Sequence, residues 1–315
     1  MALVAQPALV AGRDEVVVAL EAATVHPSDI HLIRGFYGVK PHLPAPLGAE
    51  GVGKVVEVGP GADQALLGRR VAILPTYEQG TWADHALVAA RNIVAVSDEG
   101  DPQQLAMIGV NPITALLLLR LFGPLSDGDW IAQTGANSAV GQYIIRLAER
   151  AGIHTLNVVR RQDAVTQVSV AGGDRVLIDG DDLPAQLQRA LGGQELALVL
   201  DSIGGPVVTN LAHRLRSGGK VVSFGALSGQ PTALDVRQDL IYRNISHHGF
   251  WTLNWLTRAP RAEIEGVYQE IVDLVTSGEL TADIDATFRL EQYADALGRA
   301  ERYRRNGKVL FVFGD

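Results

Sequence analysis

The sequence predicts an α/β protein that combines a doubly wound parallel sheet with a strand-rich, partly open barrel. Two observations support this fold class. Residues beyond 103 alternate apolar strands with amphipathic helices, whereas the first hundred residues carry short strands broken by Gly and Pro. A length of 315 residues suits two domains of roughly 150 residues each. We predict a first domain over residues 1–102, completed by residues 261–315, and a second domain over residues 103–260.

The first domain is predicted from runs of β-branched residues that end at Gly or Pro. Its predicted strands are Val16–Leu20, Gly51–Val58, Arg70–Leu74 and His85–Val88, and the C-terminal part adds a helix over Leu290–Arg305 and a strand over Lys308–Phe313. The frequent breaks favour a small, partly open barrel. Near Asp101 the apolar spacing becomes helical, as in "PQQLAMIGVNPITALLLLRLFG".

The second domain is predicted from apolar segments that alternate with helical ones. In chain order these segments are "WIAQ", "HTLNVVR", "DRVLID", "ELALVLDSIGG", "GKVVSFGA" and "SHHGFW". Strands that are apolar almost throughout and are joined by helices are typical of a parallel sheet covered on both faces.

The composition excludes several classes of function. The net charge is −8 and the Lys and Arg residues are scattered, which argues against nucleic-acid binding. The longest apolar stretch, Ile113–Gly123, contains Arg120 and is shorter than the roughly 20 residues of a membrane span. No Lys or Arg precedes Arg13, so the N-terminus lacks the basic region of a signal peptide. We therefore expect a cytoplasmic protein without membrane contact.

The chain contains no cysteine, which excludes disulfides, thiolate catalysis and zinc sites that use Cys. The histidines are poorly spaced for metal binding. His247 and His248 are adjacent in a strand-like run and would point to opposite faces, and His26 and His31 have no third ligand nearby in the sequence. We predict that the protein has no metal site.

The motif "TGANSAVGQ" lies between a predicted strand and a predicted helix. Gly135 permits a tight turn, Gly141 permits close packing of helix on sheet, and small residues between them let backbone N–H groups approach a pyrophosphate at the helix N-terminus. This context predicts a dinucleotide site, although an ordinary α/β turn is the alternative. The turn residues predicted to contact the cofactor are Gly135, Asn137, Ser138, Ala139 and Val140.

The end of the next strand indicates which dinucleotide is bound. A site that prefers NAD carries an acidic residue about 20 residues after the turn, where it binds the ribose 2′-hydroxyl. This chain has Arg160 and Arg161 about 25 residues after Gly135. Two guanidinium groups suit a 2′-phosphate, so we predict NADPH as the cofactor. The alternative is that both arginines lie on the surface without a ligand.

Taken together, these motifs resemble the medium-chain dehydrogenase/reductase superfamily. The matching segments occur in order along nearly the whole chain: "LGAEGVGKVVEVGPGA", "GTWADHALVAARNIVAV", "GVNPITALLLL", "TGANSAVGQ" and "GKVVSFGALSG". The resemblance implies a GroES-like catalytic domain over residues 1–102 with 261–315, and a Rossmann dinucleotide-binding domain over 103–260. Within the superfamily, "VHPSDIHLIRGFYGVKPHLP", "LNVVRR" and "GFWTLNW" are most similar to zinc-independent 2-enoyl thioester reductases, which use NADPH to saturate a trans-2,3 double bond.

The resemblance also implies roles for individual residues. Tyr37, in "RGFYGVKP", matches the tyrosine that these reductases use as proton donor to the enolate; a loop aromatic that only fills space is the alternative. Phe250–Trp251 would equally suit core packing on an edge strand, and Lys308 would equally suit a charge on an exposed turn. The positions that match the family's cofactor contacts are Asn111, Thr114, Phe224, Gly225, Ala226, Phe250, Trp251 and Lys308.

The chain departs from the zinc-dependent members of the superfamily. Where they place a catalytic Cys and His, it has His26–Pro27–Ser28 and Ala49–Glu50, and it lacks the lobe with four cysteines. The N-terminus before Asp14 is also short for such an enzyme. The substrate expected from the resemblance is a small molecule, an acyl thioester. A zinc-free NADPH:quinone oxidoreductase and a non-catalytic NADPH-binding module stay open as alternatives, and the "SHHGFW" edge predicts a homodimer.

Overall fold

The chain folds into two units, which a computed structural model describes over residues 1–302 and 307–314. One unit consists of Met1–Ile113 together with Trp255–Asp315, and the other of Thr114–Asn254. The predicted domain boundaries, after residues 102 and 260, lie close to these divisions without coinciding with them.

Secondary structure covers most of the residues in the described ranges. The strands are β1 (Glu15–Val25), β2 (Gly51–Val58), β3 (Arg70–Ile73), β4 (His85–Ala89), β5 (Ile93–Ala95), β6 (Trp130–Thr134), β7 (His154–Val159), β8 (Arg175–Ile178), β9 (Leu196–Asp201), β10 (Leu215–Ser223), β11 (Ser246–Gly249), β12 (Ile284–Phe288) and β13 (Lys308–Val312). The α-helices are α1 (Pro27–Ile33), α2 (Pro102–Leu105), α3 (Asn111–Leu121), α4 (Ala139–Arg150), α5 (Gln162–Val170), α6 (Leu183–Leu191), α7 (Pro206–Ala212), α8 (Thr252–Leu256), α9 (Arg261–Thr276) and α10 (Tyr293–Ala300). A π-helical segment covers Val236–Tyr242.

The first unit is built on a curved sheet with β1 near its centre. The strands follow the order β12-β13-β1-β2-β3-β5, and β4 also pairs with β1. Strand β1 pairs with β4 over Glu15–Ala19 and with β13 over Ala22–Val25, so its two halves have different neighbours. Irregularities in its register with β2 let it bend between them. The predicted strand-rich, partly open barrel is therefore confirmed, with β1 longer than predicted.

The second unit contains a six-stranded parallel sheet in the order β11-β10-β9-β6-β7-β8. This order reverses direction between β6 and β9, as in a doubly wound fold. Helices α4 and α5 pack in one apolar cluster and helices α6 and α7 in another. Every residue of β6 and of β9 is buried, and both strands are apolar except for Gln133, Thr134 and Asp201 at their carboxyl ends. The predicted Rossmann-type sheet is confirmed.

Some predicted elements differ from those observed. The helical pattern after Asp101 is divided into α2 and α3, and α2 packs against β1 and β2, so it belongs to the first unit. The segment "SHHGFW" is a strand only to Gly249, because the neighbouring strand β10 ends at Ser223, which pairs with Gly249. The predicted helix Leu290–Arg305 is helical over α10, and its residues 303–305 lie outside the described residues. In the described ranges, no helix combines the length and the apolar character of a membrane span.

Candidate functional site

The glycine turn between β6 and α4 leaves no room for side chains at Gly135 and Gly141. Gly135 has φ +61°, and a Cβ there would lie 2.7 Å from Ser202 Oγ. Gly141 lies so close to the preceding turn that a Cβ would lie 2.4 Å from the carbonyl oxygen of Ala136. Ser138 is the N-cap of α4, and its Oγ accepts the N–H of Gly141 at 3.1 Å. The remaining N–H groups of this helix end suit a pyrophosphate.

Asp201, the last residue of β9, joins the ends of three parallel strands. Its fully buried carboxylate accepts from Thr134 Oγ1 at 2.7 Å, from the backbone N–H of Ile203 at 2.9 Å and from Ser223 Oγ at 3.2 Å. These partners belong to β6, the loop after β9, and β10. Asp201 was not predicted as a site residue from the sequence, although an acidic residue that ends an apolar strand was the available signal.

Of the other predicted residues of the second unit, Phe224–Ala226 and Phe250 follow the carboxyl ends of strands, and Thr114 lies on α3. The backbone N–H of Phe224 donates to Asp201 O at 2.8 Å, which holds Phe224–Ala226 beside the end of β9. Thr114 is buried and its hydroxyl lies 2.7 Å from the hydroxyl of Thr252. Phe250 packs edge-on against Phe122, with ring centroids 6.1 Å apart.

Phe250 and Trp251 do not lie on the edge strand as predicted. They follow β11 and precede α8, and both are half-buried. This position places them at the carboxyl edge of the sheet, where doubly wound folds bind their ligands. Their contact with a cofactor stays a prediction.

Arg160 and Arg161 follow β7 directly. Arg160 is exposed and Arg161, which precedes α5, is half-buried. Arg161 Nε lies 3.2 Å from Asp163 Oδ1, and the charge of Arg160 acts on Asp179, where it lowers a pKa that burial raises. Two arginines at the carboxyl edge of the sheet fit a 2′-phosphate. The two acidic neighbours were not anticipated from the sequence.

In the first unit, Tyr37 lies on the loop that follows α1. Gly35 ends the helix with φ +75°, and its N–H donates to the carbonyl of Leu32 at 3.0 Å. The N–H groups of Phe36 and Tyr37 both donate to His31 O, at 2.9 and 3.2 Å. These bonds hold the loop against the helix, with Tyr37 half-buried and Phe36 exposed.

The Tyr37 hydroxyl belongs to a row of hydrogen-bonded side chains. Tyr77 Oη lies 3.1 Å from Tyr37 Oη and 2.8 Å from Ser28 Oγ, and the two tyrosine ring centroids are 5.1 Å apart. Ser28 Oγ lies 2.7 Å from His26 Nδ1, and His26 Nε2 lies 3.0 Å from Asn111 Oδ1. Two of the residues predicted for the site, Tyr37 and Asn111, are therefore linked through three others.

Tyr77 was not singled out in the sequence. Its φ of +61° is rare for a bulky residue and costs on the order of 1–3 kcal/mol. Burial is the main cause that raises the pKa of Tyr77 far above its ordinary value, so its phenol is neutral at physiological pH. Tyr77 also lines a cavity of about 200 Å³ together with Pro41, His42 and Glu78.

Beneath the start of α1 lies a buried group of charged side chains: Asp29, Glu50 and Lys308. Asp29 Oδ2 accepts the N–H of His26 at 2.8 Å, so Asp29 completes a capping box at the start of α1, where His26 is the N-cap. Glu50 accepts from Thr24 Oγ1 at 2.9 Å and from the N–H of Val110 at 2.8 Å. Burial raises the pKa of both carboxyls, and the positive charge of Lys308 lowers it.

Lys308 does not lie on an exposed turn. It begins β13 with 3% of its surface exposed, and its charge acts on Asp29 and Glu50. A Lys next to two buried carboxyls offsets charges that would otherwise lie unpaired in the core. Its predicted contact with a cofactor phosphate stays a prediction.

Asp29→Asn is expected to flatten the pH dependence of stability. Burial raises the pKa of Asp29 from 3.8 to about 7, so between those values the folded protein holds a proton that the unfolded chain has released. Stability attributable to Asp29 is therefore full below pH 4 and is lost as pH rises to about 7, about 4 kcal/mol in all. Unfolding followed by circular dichroism from pH 4 to 8 should show that the free energy of unfolding of the variant, relative to that of the wild type, increases as pH rises.

The matched control is Asp101→Asn, since Asp101 caps α2 through a bond to the N–H of Gln103 but is exposed. The free energy of unfolding of that variant should depend on pH as that of the wild type does. If the free energies of unfolding of Asp29→Asn and of the wild type changed with pH in parallel, Asp29 would be ionised in the folded protein.

The fold and the glycine turn together define a nucleotide-dependent dehydrogenase or reductase, and comparison with known proteins specifies which. Residues 12–98 match the alcohol dehydrogenase GroES-like domain, and residues 139–273 match the family described as zinc-binding dehydrogenase. The chain belongs to the medium-chain dehydrogenase/reductase superfamily. Over residues 1–302 and 307–314, no group of three or more His, Cys, Asp or Glu side chains is arranged to hold a metal ion.

Within the superfamily, the chain is similar to mitochondrial enoyl-(acyl-carrier-protein) reductases. It is 35% identical over 293 residues to that of Caenorhabditis elegans, a match that covers 91% of this chain and 83% of the relative. It is 32% identical over 295 residues to the human protein, covering 92% of this chain and 78% of the relative.

Solved structures give a similar result. The complex of Etr1p with NADP and crotonyl-CoA superposes with a TM-score of 0.84 at 25% identity, covering 96% of this chain and 92% of the other. A mycobacterial quinone oxidoreductase superposes with a TM-score of 0.88 at 22% identity, covering 98% and 94%. The second likeness shows the shared fold alone.

Proposed function

We propose that this protein is a 2-enoyl thioester reductase that uses NADPH to saturate the trans-2,3 double bond of an enoyl-CoA or enoyl-carrier protein. The observation that carries the proposal is the 35% identity to an enoyl reductase over 91% of the chain. Tyr37 and the paired arginines are consistent with it, because a proton donor and a site for a 2′-phosphate are the two things this chemistry requires of the protein.

NADPH, when bound, supplies the hydride that adds to the β-carbon of the substrate. The chain's own residues hold the cofactor. The helix end at Gly135–Val140 binds the pyrophosphate, Arg160 and Arg161 bind the 2′-phosphate, and the other contacts proposed are Asn111, Thr114, Phe224, Gly225, Ala226, Phe250 and Trp251. Asp201 positions the loops that carry part of this set, because its carboxylate bonds to β6, the loop after β9, and β10.

Tyr37 then delivers a proton to the α-carbon of the enolate. A phenol suits this role because it stays protonated at neutral pH and donates a hydrogen bond to the developing enolate before transferring its proton. We propose that residues 1–102 with 261–315 supply this catalytic step and that residues 103–260 supply cofactor binding, as the sequence predicts.

The same proposal includes a homodimer. Among the residues that the structure describes, strand β11 lies at the edge of the parallel sheet beside β10, and His247–Gly249 are exposed. An exposed edge strand readily pairs with a copy of itself. One relative structure is a heterodimer of Etr1p and Etr2p from Candida tropicalis, so the partner is not always identical. Sedimentation of the purified protein distinguishes monomer, dimer and larger forms.

A cytoplasmic location also stays a prediction. The relatives named above are described as mitochondrial, which the composition of this chain did not suggest. Fractionation of the native host with antibodies to the full chain assigns the compartment.

The function is tested by the decay of NADPH absorbance with different acceptors. We expect rapid decay with crotonyl-CoA and slow decay with 1,4-naphthoquinone. Faster turnover of naphthoquinone would assign the chain to the quinone oxidoreductases. Decay with neither acceptor, together with tight NADPH binding, would favour a non-catalytic binding module.

Arg160→Asp is expected to reverse the preference for NADPH over NADH. A charge-assisted hydrogen bond contributes about 1.5–3 kcal/mol, so loss of one should lower kcat/KM for NADPH roughly 10- to 100-fold and leave that for NADH nearly unchanged. Steady-state kinetics with each cofactor measure the ratio. The matched control is Arg189→Asp, which makes the same charge change at an exposed position of α6. A variant that kept its preference for NADPH would remove Arg160 from the cofactor site.

A further inference from the structure

We propose that Tyr77, Ser28 and His26 form a relay that replaces the proton of Tyr37 as Tyr37 delivers it to the enolate. The proposal rests on the proposed function, since it takes Tyr37 as the proton donor. The three residues act through Tyr37 and need no contact with the substrate. They come from separate parts of the first unit: the start of α1 and the loop after β3.

The distances allow proton transfer at every step. Adjacent atoms in the row Tyr37 Oη, Tyr77 Oη, Ser28 Oγ and His26 Nδ1 are separated by 3.1, 2.8 and 2.7 Å. All lie within or near the hydrogen-bond range for these atoms. Each hydroxyl can both donate and accept a hydrogen bond, so the hydrogen bonds along the row can point either towards Tyr37 or towards His26.

Asn111 fixes which imidazole nitrogen belongs to the relay. Its Oδ1 is an acceptor 3.0 Å from His26 Nε2, so Nε2 carries a hydrogen and donates it. In neutral His26, Nδ1 then accepts, and it lies 3.2 Å from the N–H of Ser28 and 2.7 Å from Ser28 Oγ. In the imidazolium form Nδ1 donates to Ser28, and every hydroxyl of the row donates towards Tyr37. Tyr37 then accepts the hydrogen bond of Tyr77 and donates its own hydroxyl hydrogen to the substrate.

The transfer is balanced in protons. The O–H bond of Tyr37 breaks as a C–H bond forms at the α-carbon, and the electron pair of the enolate makes that bond. The proton of Tyr77 moves to Tyr37, that of Ser28 moves to Tyr77, and that of Nδ1 moves to Ser28. His26 becomes neutral and takes a new proton from solvent, which reaches it because its side chain is half-buried.

Two features of Tyr77 support a role beyond packing. It holds a left-handed backbone conformation, φ +61°, that bulky residues rarely adopt, and this conformation directs its hydroxyl between Tyr37 and Ser28. Burial and the neighbouring Tyr37 also raise the pKa of Tyr77, so its phenol passes a proton on without remaining ionised.

The test is a double-mutant cycle between Tyr77→Phe and Tyr37→Phe, with crotonyl-CoA reduction as the readout. Tyr77→Phe keeps the ring that packs on Tyr37 and removes the hydroxyl. We expect kcat to fall about 10-fold with KM for NADPH unchanged, since relayed acid–base catalysis contributes at least this much. In the Tyr37→Phe background the same change should have no further effect.

Three further variants separate the relay from a structural role. Ser28→Ala should lower kcat as Tyr77→Phe does, and Ser28→Thr should restore it because the hydroxyl returns. His26→Asn keeps a good N-cap for α1 but has no proton to supply, so it should also lower kcat. The matched control is Tyr242→Phe, an exposed tyrosine 66% accessible in the second unit, which should leave kcat unchanged.

A wild-type rate for Tyr77→Phe, or an equal loss in both backgrounds of the cycle, would overturn the relay while leaving the proposed function intact. Absence of crotonyl-CoA reduction by the wild-type protein would overturn the proposed function and the relay with it.

The solvent isotope effect on kcat tests separately whether several protons move in the same step. A proton inventory that bows downward in the wild type and becomes linear in Tyr77→Phe is the expected result, and identical linear plots would contradict it.

Discussion

Replacing Tyr37 with Phe is expected to lower kcat for enoyl thioester reduction by about 10²–10⁴-fold, the range for loss of a positioned general acid. The phenyl ring retains the packing against Tyr77, whose centroid is 5.1 Å away, so the fold and the affinity for NADPH should be unchanged. Single-turnover kinetics with saturating NADPH measure the chemical step, and fluorescence titration measures cofactor binding.

The matched control is Tyr293→Phe, because Tyr293, the first residue of α10, is a half-buried tyrosine of the same unit that packs against an apolar core cluster. It should reduce crotonyl-CoA at the wild-type rate. Near-normal turnover by Tyr37→Phe with intact NADPH binding would show that Tyr37 only fills space on its loop.

Lys308→Met is expected to destabilise the protein by about 3 kcal/mol, because it leaves the buried carboxyls of Asp29 and Glu50 without a compensating charge. Met preserves most of the volume of the side chain. The loss should be larger at pH 8 than at pH 5, since protonation of Asp29, whose pKa is about 7, relieves the unpaired charge. Thermal unfolding at both pH values measures the difference.

Lys54→Met is the control, since Lys54 is exposed on β2 and its replacement should change stability by a few tenths of a kcal/mol at most. The experiment also separates the two roles considered for Lys308. An unchanged Tm with a raised KM for NADPH would make Lys308 a cofactor ligand rather than a buried counter-charge.

The two sheets were predictable because local sequence determines much of each. Strands such as β6 and β9 are buried on both faces, so they are apolar except at their carboxyl ends, and this pattern distinguishes a parallel sheet from the alternating strands of the barrel. The glycine turn was predictable for a similar reason. Gly135 adopts a positive φ and Gly141 approaches Ala136 too closely for any side chain, so the sequence there has few alternatives.

The contacts that join distant segments were not predictable in the same way. Tyr77 is 40 positions from Tyr37 and 49 from Ser28, and nothing in its neighbours indicates that their hydroxyls meet. Lys308 follows the polar segment "RRNG" in the sequence, which suggested exposure, yet it begins β13 opposite Ile284 of β12 and is buried. Phe250 was predicted to lie on the edge strand, but that strand ends at Gly249. The length of an edge strand depends on the neighbouring strand, and β10 ends at Ser223.

Isotope tracing of the reduced thioester follows both halves of the reaction at once. Crotonyl-CoA is reduced with NADPH deuterated at the transferred position of the nicotinamide, and separately with ordinary NADPH in D₂O, and the butyryl product is analysed by NMR. We predict one deuterium at the β-carbon in the first reaction and one at the α-carbon in the second. Unreduced crotonyl-CoA, or deuterium from the cofactor at the α-carbon, would contradict the proposed chemistry.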